Sequence, residues 1–141
     1  MKFLLDSNVC IDFLNGRFPL VAERIRENDP DDLALSSIVV AELRYGAQKS
    51  QRQRENHKKL DLLFSEVGII EFDEGAAQAF GIIRTALEIR GTPIGPFDML
   101  IAAHARSRDL ILVSDNIREF SRVDGVKLVN WRVASETVSG R

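Results

Sequence analysis

Three acidic side chains, Asp6, Glu42 and Asp98, occupy positions that suit chemistry at the edge of a folded core. Asp6 directly follows a short apolar run, and Glu42 lies early in a helical segment after a second such run. Asp98 comes after Gly95-Pro96-Phe97. Because proline is favoured at the first helical position, Asp98 falls in the first turn of a helix that continues to about Arg106. These carboxylates can act together if the fold brings them to one place.

Several carboxylates close together repel one another unless a cation or a raised pKa relieves the repulsion. A divalent ion resolves that conflict. Mg²⁺ or Mn²⁺ prefers hard oxygen ligands, keeps several waters, and uses one or two carboxylates together with a substrate phosphate. A metal ion in such a site can activate an attacking water and neutralise the charge on the cleaved phosphate. The residue types therefore favour metal-assisted hydrolysis of a phosphodiester.

Each of the three acids also has a purely structural explanation. Asp6 could cap a helix that starts near residue 9, although Ser7 and Asn8 could do so equally well. Asp98 in a first helical turn is stabilised by the helix dipole by about 0.3–1 kcal/mol, which alone could explain it. Glu42 taken alone is typical of an exposed surface acid. Only convergence of the three favours a catalytic role.

Five short apolar runs, bounded by polar or glycine residues, predict five strands. They are Lys2–Asp6, Leu33–Ser37, Val67–Phe72, Leu110–Ser114 and Val126–Val129. Helical patterns lie between them, and in one of these Phe80, Ile83 and Leu87 recur at spacings of three and four. Asp73 can cap the start of that helix and Gly91 can close its end. This alternation is typical of an α/β three-layer sandwich, with a mainly parallel five-stranded sheet covered by helices.

The topology of a parallel sheet explains how distant acids can meet. The chain climbs each strand to one edge and descends through the next helix, so strand ends and helix starts share that edge. Asp6, Glu42 and Asp98 are therefore expected at one edge, which we call the acidic rim. The predicted fourth strand delivers Ser114-Asp115-Asn116 to the same edge.

Length and composition favour one soluble domain. With 141 residues, 45% of them hydrophobic, the chain can bury one core without disulfides or a structural metal. Cys10 is the only cysteine, which excludes an internal disulfide and the usual zinc frameworks and favours a reduced, cytoplasmic compartment. No signal peptide or membrane-spanning run is recognised, so no membrane association is expected. The domain is expected to span residues 1–133, and residues 134–141 to form a loose tail.

Charge is unevenly distributed, although the net charge of −2 does not by itself indicate a polyanionic partner. Residues 44–59 hold a basic segment in which a single acid, Glu55, accompanies Arg44, Lys49, Arg52, Arg54, Lys58 and Lys59. This segment is either a positive binding surface or a solvated helix face. His57 lies within it and is expected to be solvated, while His104 is expected to pack on its helix. Neither histidine is assigned a catalytic role.

Four blocks of sequence resemble the PIN-domain ribonucleases of the VapC toxin type. The blocks are Leu4–Val9, Ala41–Gly46, Gly91–Ala105 and Leu112–Phe120. They come in the family's order, and the resemblance extends over nearly the whole chain, to Val129-Asn130-Trp131. It implies a PIN-like fold and an active site that cuts RNA with Mg²⁺ or Mn²⁺. It also implies a VapB-type antitoxin as inhibitor, a homodimer, and Asn8 as a polar neighbour that orients the acids.

By matching motif positions, the resemblance assigns Asp6, Glu42 and Asp98 as the catalytic acids, with Asp6 and Asp98 as metal ligands. The family's fourth position, often an aspartate, falls on Asn116, whereas the acid here is Asp115, one residue earlier. Side chains alternate across a strand, so the two point apart unless the strand has already ended. Asn116 could still offer an amide oxygen or hold a metal-bound water, and the choice between the two residues stays open.

A divalent-metal-dependent endoribonuclease is the function that accounts for the most observations. The neutral Asn116 also fits a non-catalytic module that binds RNA or metal without cutting. A phosphoacceptor signalling domain modified at Asp6 would share the α/β geometry. Such domains usually have adjacent acids near the phosphoacceptor, and only Asp6 is found there.

Overall fold

The computed structural model describes residues 1–134. Its strands are β1 Phe3–Leu5, β2 Leu33–Ser36, β3 Gly68–Ile70, β4 Ile111–Val113 and β5 Lys127–Val129. Its α-helices are α1 Ser7–Asn15, α2 Pro19–Glu27, α3 Ser37–Lys49, α4 Gln53–Glu66, α5 Glu74–Arg90, α6 Pro96–Ser107 and α7 Ile117–Phe120. None of these helices is long and apolar enough to cross a membrane in the part of the chain described. Residues 135–141, most of the predicted tail, lie outside the described residues, so the boundary between domain and tail stays a prediction.

The five strands form one sheet in the order β3-β2-β1-β4-β5, and every pairing is parallel. The predicted α/β fold with a mainly parallel sheet is therefore confirmed. Strands β1 and β4 are apolar throughout, β2 is apolar up to its last residue, Ser36, and Leu4, Leu5, Leu35 and Leu112 are fully buried. Continuous burial of this kind requires cover on both faces of the sheet, which the helices supply.

The strands are shorter than the apolar runs that predicted them, and β3 shows one reason. The run Val67–Phe72 yields only β3, since the backbone N–H of Phe72 donates to the Ser37 hydroxyl at 3.0 Å instead of to a strand. Asp73 then caps α5 by accepting from the Ala76 N–H at 3.0 Å, as predicted. Gly91 closes the same helix with a φ of +68°, a conformation that favours glycine.

The chain changes the direction in which it adds strands at β1. It places β2 and then β3 on one side of β1, and after α5 and α6 it returns to place β4 and β5 on the other. Such a switch point leaves a crevice at the carboxyl ends of the strands, where ligands bind in open α/β sheets. The crevice lies between β1 and β4, so the residues that follow these strands, Asp6 and Ser114, flank it.

Candidate active site

Asp6 is the first residue after β1, and it also caps α1. Its carboxylate accepts hydrogen bonds from the Ser7 backbone N–H at 2.8 Å and from the Ser114 hydroxyl at 2.7 Å. The helix begins at Ser7 rather than near residue 9, so Asp6 itself has the capping role that the sequence left open. Burial raises the pKa of Asp6; the two hydrogen bonds oppose this effect, and the charges of Glu42 and Asp115 add to it.

Glu42 reaches the rim from the middle of α3. Its Oε1 accepts a hydrogen bond from the Ser7 hydroxyl at 2.9 Å, which links α3 to the start of α1. The charge of Glu42 raises the pKa values of both Asp6 and Asp98. The structure therefore brings the three acids together, at a separation where they repel one another.

Asp98 lies in the first turn of α6, as predicted, and it contacts a further carboxylate, Glu119 of α7. Burial raises the pKa of Asp98 to about 7, and the hydrogen bond with Glu119 and the charges of Asp6, Glu119 and Glu42 act in the same direction. The pKa of Glu119 is lowered, chiefly by a hydrogen bond from Asn116. A proton shared by the two carboxyl groups therefore resides on Asp98.

Asn116 faces this pair of carboxyl groups. Its Nδ2 donates to Glu119 Oε2 at 2.8 Å and, at 3.4 Å, to Asp98 Oδ2. Sequence reasoning singled out Asn116 but missed Glu119. The signal was present, because Glu119 lies three residues after Asn116, a spacing that places two side chains on one face of a helical turn.

Asp115 is held by Arg132, which follows β5. The guanidinium Nη1 donates to Asp115 Oδ2 at 3.0 Å, while Nε and Nη2 donate to the two carboxylate oxygens of Asp12 at 2.7 and 3.0 Å. Asp12 is 1% exposed, so a buried acid of α1 and an acid beside the rim share one cation. The ring of Phe18 lies 4.2 Å from the guanidinium carbon and covers it.

The two asparagines near the rim, Asn8 and Asn116, contact different acids. β4 ends at Val113, so the alternation that would separate Asp115 from Asn116 no longer applies. Asn8 donates to the free oxygen of Asp115 at 3.4 Å, and no hydrogen bond from Asn8 to the three acids is found in residues 1–134. Asn8 thus orients Asp115, whereas Asn116 is the asparagine whose side chain donates a hydrogen bond to Asp98.

The two histidines lie apart from this chemistry. His104 is fully buried, with Nδ1 2.7 Å from the Ser36 hydroxyl oxygen, which fits the expected packing role. Burial lowers the pKa of His104. His57 is half-buried and hydrogen-bonded to Arg44 and Gln48 at 3.0 and 3.1 Å, so it is less solvated than expected.

The donor atoms of the rim fit a hard divalent cation. They are carboxylate oxygens. Burial chiefly raises the pKa values of Asp6 and Asp98, neighbouring acidic charges add to this effect, and a cation would offset both. Within residues 1–134, no group of three or more His, Cys, Asp or Glu side chains is already arranged to hold an ion. Mg²⁺ does not need one, because it takes one or two carboxylates and keeps several waters.

Comparisons with known proteins identify the family of this chain. The model of the PIN domain family matches residues 3–126. The tRNA(fMet)-specific endonuclease VapC of Shigella flexneri is 41% identical over 131 residues, which cover 93% of this chain and 98% of that protein. Ribonuclease VapC2 of Rickettsia felis is 39% identical over 134 residues, with the same coverage. The crystal structure of VapBC2 from Rickettsia felis, bound to a DNA fragment from its promoter, contains a chain that superposes with a TM-score of 0.87 at 37% identity, covering 93% of this chain and 99% of that one.

Proposed function

This chain belongs to the PIN-domain family and is a ribonuclease of the VapC type, and from that premise we propose that it cuts RNA internally at the acidic rim, as the toxin of a toxin–antitoxin pair. The observation that carries the proposal is the convergence of Asp6, Glu42 and Asp98 at the switch point of the sheet. Burial raises the pKa values of Asp6 and Asp98 there, and the charge of Glu42 adds to both shifts. A structural role for each acid alone does not explain why the fold accepts the free-energy cost of holding these carboxylates together.

The proposed metal ligands are Asp6 and Asp98, and the proposed ion is Mg²⁺ or Mn²⁺. When bound, the ion activates a water and neutralises charge on the scissile phosphate. Ser114 and the Ser7 N–H fix the orientation of the Asp6 carboxylate. Asp98 must lose its proton to bind a cation. Because its pKa is about 7 without metal, metal affinity is expected to fall steeply below neutral pH.

Glu119 bears on the alternative, a non-catalytic module that binds RNA or metal. That alternative rested on the neutral fourth position, Asn116. Since Asn116 donates to Glu119 and Asp98, it organises two carboxylates, and the rim keeps four acids in all. We therefore propose Asn116 as a site residue that orients acids, and Glu119 as an additional member of the site.

The proposed partner is a VapB-type antitoxin. It is supported by the similarity to a chain of the VapBC2 structure from Rickettsia felis. The rim is strongly acidic, so an arginine or similar cation of the antitoxin can replace the metal by charge complementarity. Both components would act in the cytoplasm, where the lone, buried Cys10 stays reduced. Co-expression with the neighbouring gene should yield a complex, and added Mg²⁺ should compete with it.

A homodimer is also proposed. Two large apolar side chains of α5, Ile82 and Ile89, are 60% and 80% exposed. They lie seven residues apart and so share one face of the helix. Burial of this face against a second copy would remove both side chains from water. Light scattering should give a dimer for the native chain and a monomer for Ile89→Lys, whereas Ile69→Lys, a matched change on edge strand β3, should leave the dimer intact.

The test of the catalytic proposal uses the purified chain, free of antitoxin, with labelled structured and unstructured RNAs in EDTA, Mg²⁺ or Mn²⁺. Asp6→Asn is the variant of choice, because asparagine caps a helix as well as aspartate does and removes the charge while one oxygen still accepts from the Ser7 N–H. Cleavage should require metal and fall by orders of magnitude in Asp6→Asn. Glu23→Gln, an exposed acid on α2, should cut normally. Undiminished cleavage by Asp6→Asn would contradict the proposal.

A further inference from the structure

A groove opens from the acidic rim between α1, α3 and α4. Its volume is about 470 Å³, within the range of about 300–1,000 Å³ that is usual for ligand pockets. Ser7 and Glu42 line it at the rim, and Lys49 and Lys59 line it further along. Glu42 and Lys49 are seven residues apart on α3, a rise of about 10 Å along the helix. The groove thus leads directly away from the site of cleavage.

An exposed aromatic side chain, Tyr45, stands in the wall of this groove. It is 66% exposed, and it lies one helical turn from Glu42. The Lys49 ammonium lies 5.0 Å from the centre of the ring, so a cation and an aromatic face are presented together. Proteins that bind single-stranded nucleic acid combine these two features, since bases stack on aromatic rings and cations meet phosphates.

The structure also separates the cations of the basic segment into two groups. Arg44 is paired with Asp61 at 2.6 Å, and Arg52 with Glu55 at 3.5 Å. Lys49 and Lys59 instead line the groove, where Glu42 is the one acidic lining residue within residues 1–134. The groove is therefore positive beyond the rim, which suits the phosphates of a polyanion.

We propose that this groove binds a single-stranded segment of the RNA next to the scissile phosphate, with Tyr45 stacked on a base and Lys49 and Lys59 contacting phosphates. At about 3.4 Å per stacked nucleotide, the distance from Glu42 to Lys49 corresponds to about three nucleotides. The inference rests on the proposed cleavage at the acidic rim. It adds where the flanking strand lies and which residues recognise it.

The experiment measures binding of a fluorescein-labelled, unstructured RNA by anisotropy in EDTA, where no cleavage is expected. Tyr45→Ala should raise the Kd about 5- to 150-fold, the usual effect of losing one stacked base, and Tyr45→Phe should bind like the native chain. Lys49→Gln and Lys59→Gln should each weaken binding and lower the salt dependence of log K by about 0.7. The matched control is Lys58→Gln, an exposed lysine next to Lys59 that does not line the groove.

Cleavage in Mg²⁺ separates this inference from the proposed function. The Lys49 and Lys59 variants should raise KM for the long RNA and leave cleavage of a dinucleotide, which is too short to extend from the rim to these lysines, unchanged. If Tyr45→Ala and both lysine variants bind RNA as tightly as Lys58→Gln, the groove is not an RNA site and the inference is wrong. Loss of a protein partner in those variants, with RNA binding intact, would overturn it in the same way. If the native chain binds the RNA through the groove but never cuts it, the proposed cleavage at the acidic rim is wrong, while the proposed RNA binding in the groove stands.

Discussion

Replacing Asp98 by asparagine should abolish cleavage and yet stabilise the metal-free protein. The pKa of Asp98 is about 7 in the folded chain and 3.8 in its ordinary state. Between these values the folded state holds a proton that the unfolded state has lost, so stability falls as pH rises from about 4 to 7. Asparagine is uncharged at every pH, and it has the shape of the protonated carboxyl group that donates to Glu119. The Asp98→Asn variant should therefore not lose stability in this way as the pH rises.

The size of the effect follows from the pKa difference. A group shifted from 3.8 to about 7 would lose about 4 kcal/mol above neutral pH if it were fully shielded from water. Asp98 is only half-buried, and solvent screening reduces the value to about 1–2 kcal/mol. For a chain of this length, that corresponds to a rise in Tm of about 3–8 °C.

The assay is thermal unfolding in EDTA at pH 4.5 and pH 8, followed by circular dichroism. Asp98→Asn and the native chain should differ little at pH 4.5, and the variant should be more stable at pH 8. Mg²⁺ should raise the Tm of the native chain and have less effect on the variant. Glu23→Gln, which removes an exposed acid outside the rim, should match the native chain throughout. A Tm at pH 8 that is lower for Asp98→Asn than for the native chain would refute the claim that burial and the neighbouring carboxylates raise the pKa of Asp98.

Three further predictions concern the contacts that support the site. Ser114→Ala removes the hydroxyl that donates to Asp6, a hydrogen bond to a charged group worth about 1.5–3 kcal/mol. The pKa of Asp6 should therefore rise, as NMR titration of its carboxyl carbon in EDTA should show, and an unchanged pKa would contradict the contact. Arg132→Gln leaves the buried carboxylate of Asp12 without its partner and should cost about 3 kcal/mol in urea unfolding; adding Asp12→Asn should restore much of it, and simple additivity of the two changes would contradict the pairing. Burial lowers the pKa of His104, so the unfolded state takes up a proton first as pH falls below 6.5; the native chain should lose stability there, and His104→Asn should lose less.

The sequence was sufficient for the fold because the runs that form the strands are mostly apolar. Runs such as Leu110–Ser114 cannot sit half-exposed, and their alternation with helices leaves a parallel sheet as the arrangement that buries them. The lengths of the strands could be predicted less well from the sequence. Whether the Phe72 N–H joins a strand or meets the Ser37 hydroxyl depends on a contact across 35 residues, which no local pattern encodes.

The candidate site divides in the same way. Asp6 and Asp98 could be located from sequence because a strand end and a proline-started helix are local signals. Glu119 gave only one local signal, its spacing of three residues from Asn116, and its role depends on the short helix α7 turning it towards Asp98. The ion pair of Asp115 could not be predicted from the sequence either, because its partner, Arg132, is placed next to it by the last strand of the sheet.

The order of the strands has a consequence for synthesis of the chain. The site lies between the first strand, β1, and the fourth, β4, and it is completed by α7, close to the end of the described chain. A nascent chain that has emerged from the ribosome only as far as α6 presents Asp6, Glu42 and Asp98 without the strand that seats them. Such a chain lacks Ser114, Asn116 and Glu119, so its site is incomplete. The switch in strand order therefore delays completion of the site until the segment that follows α6 has been made and has folded beside β1.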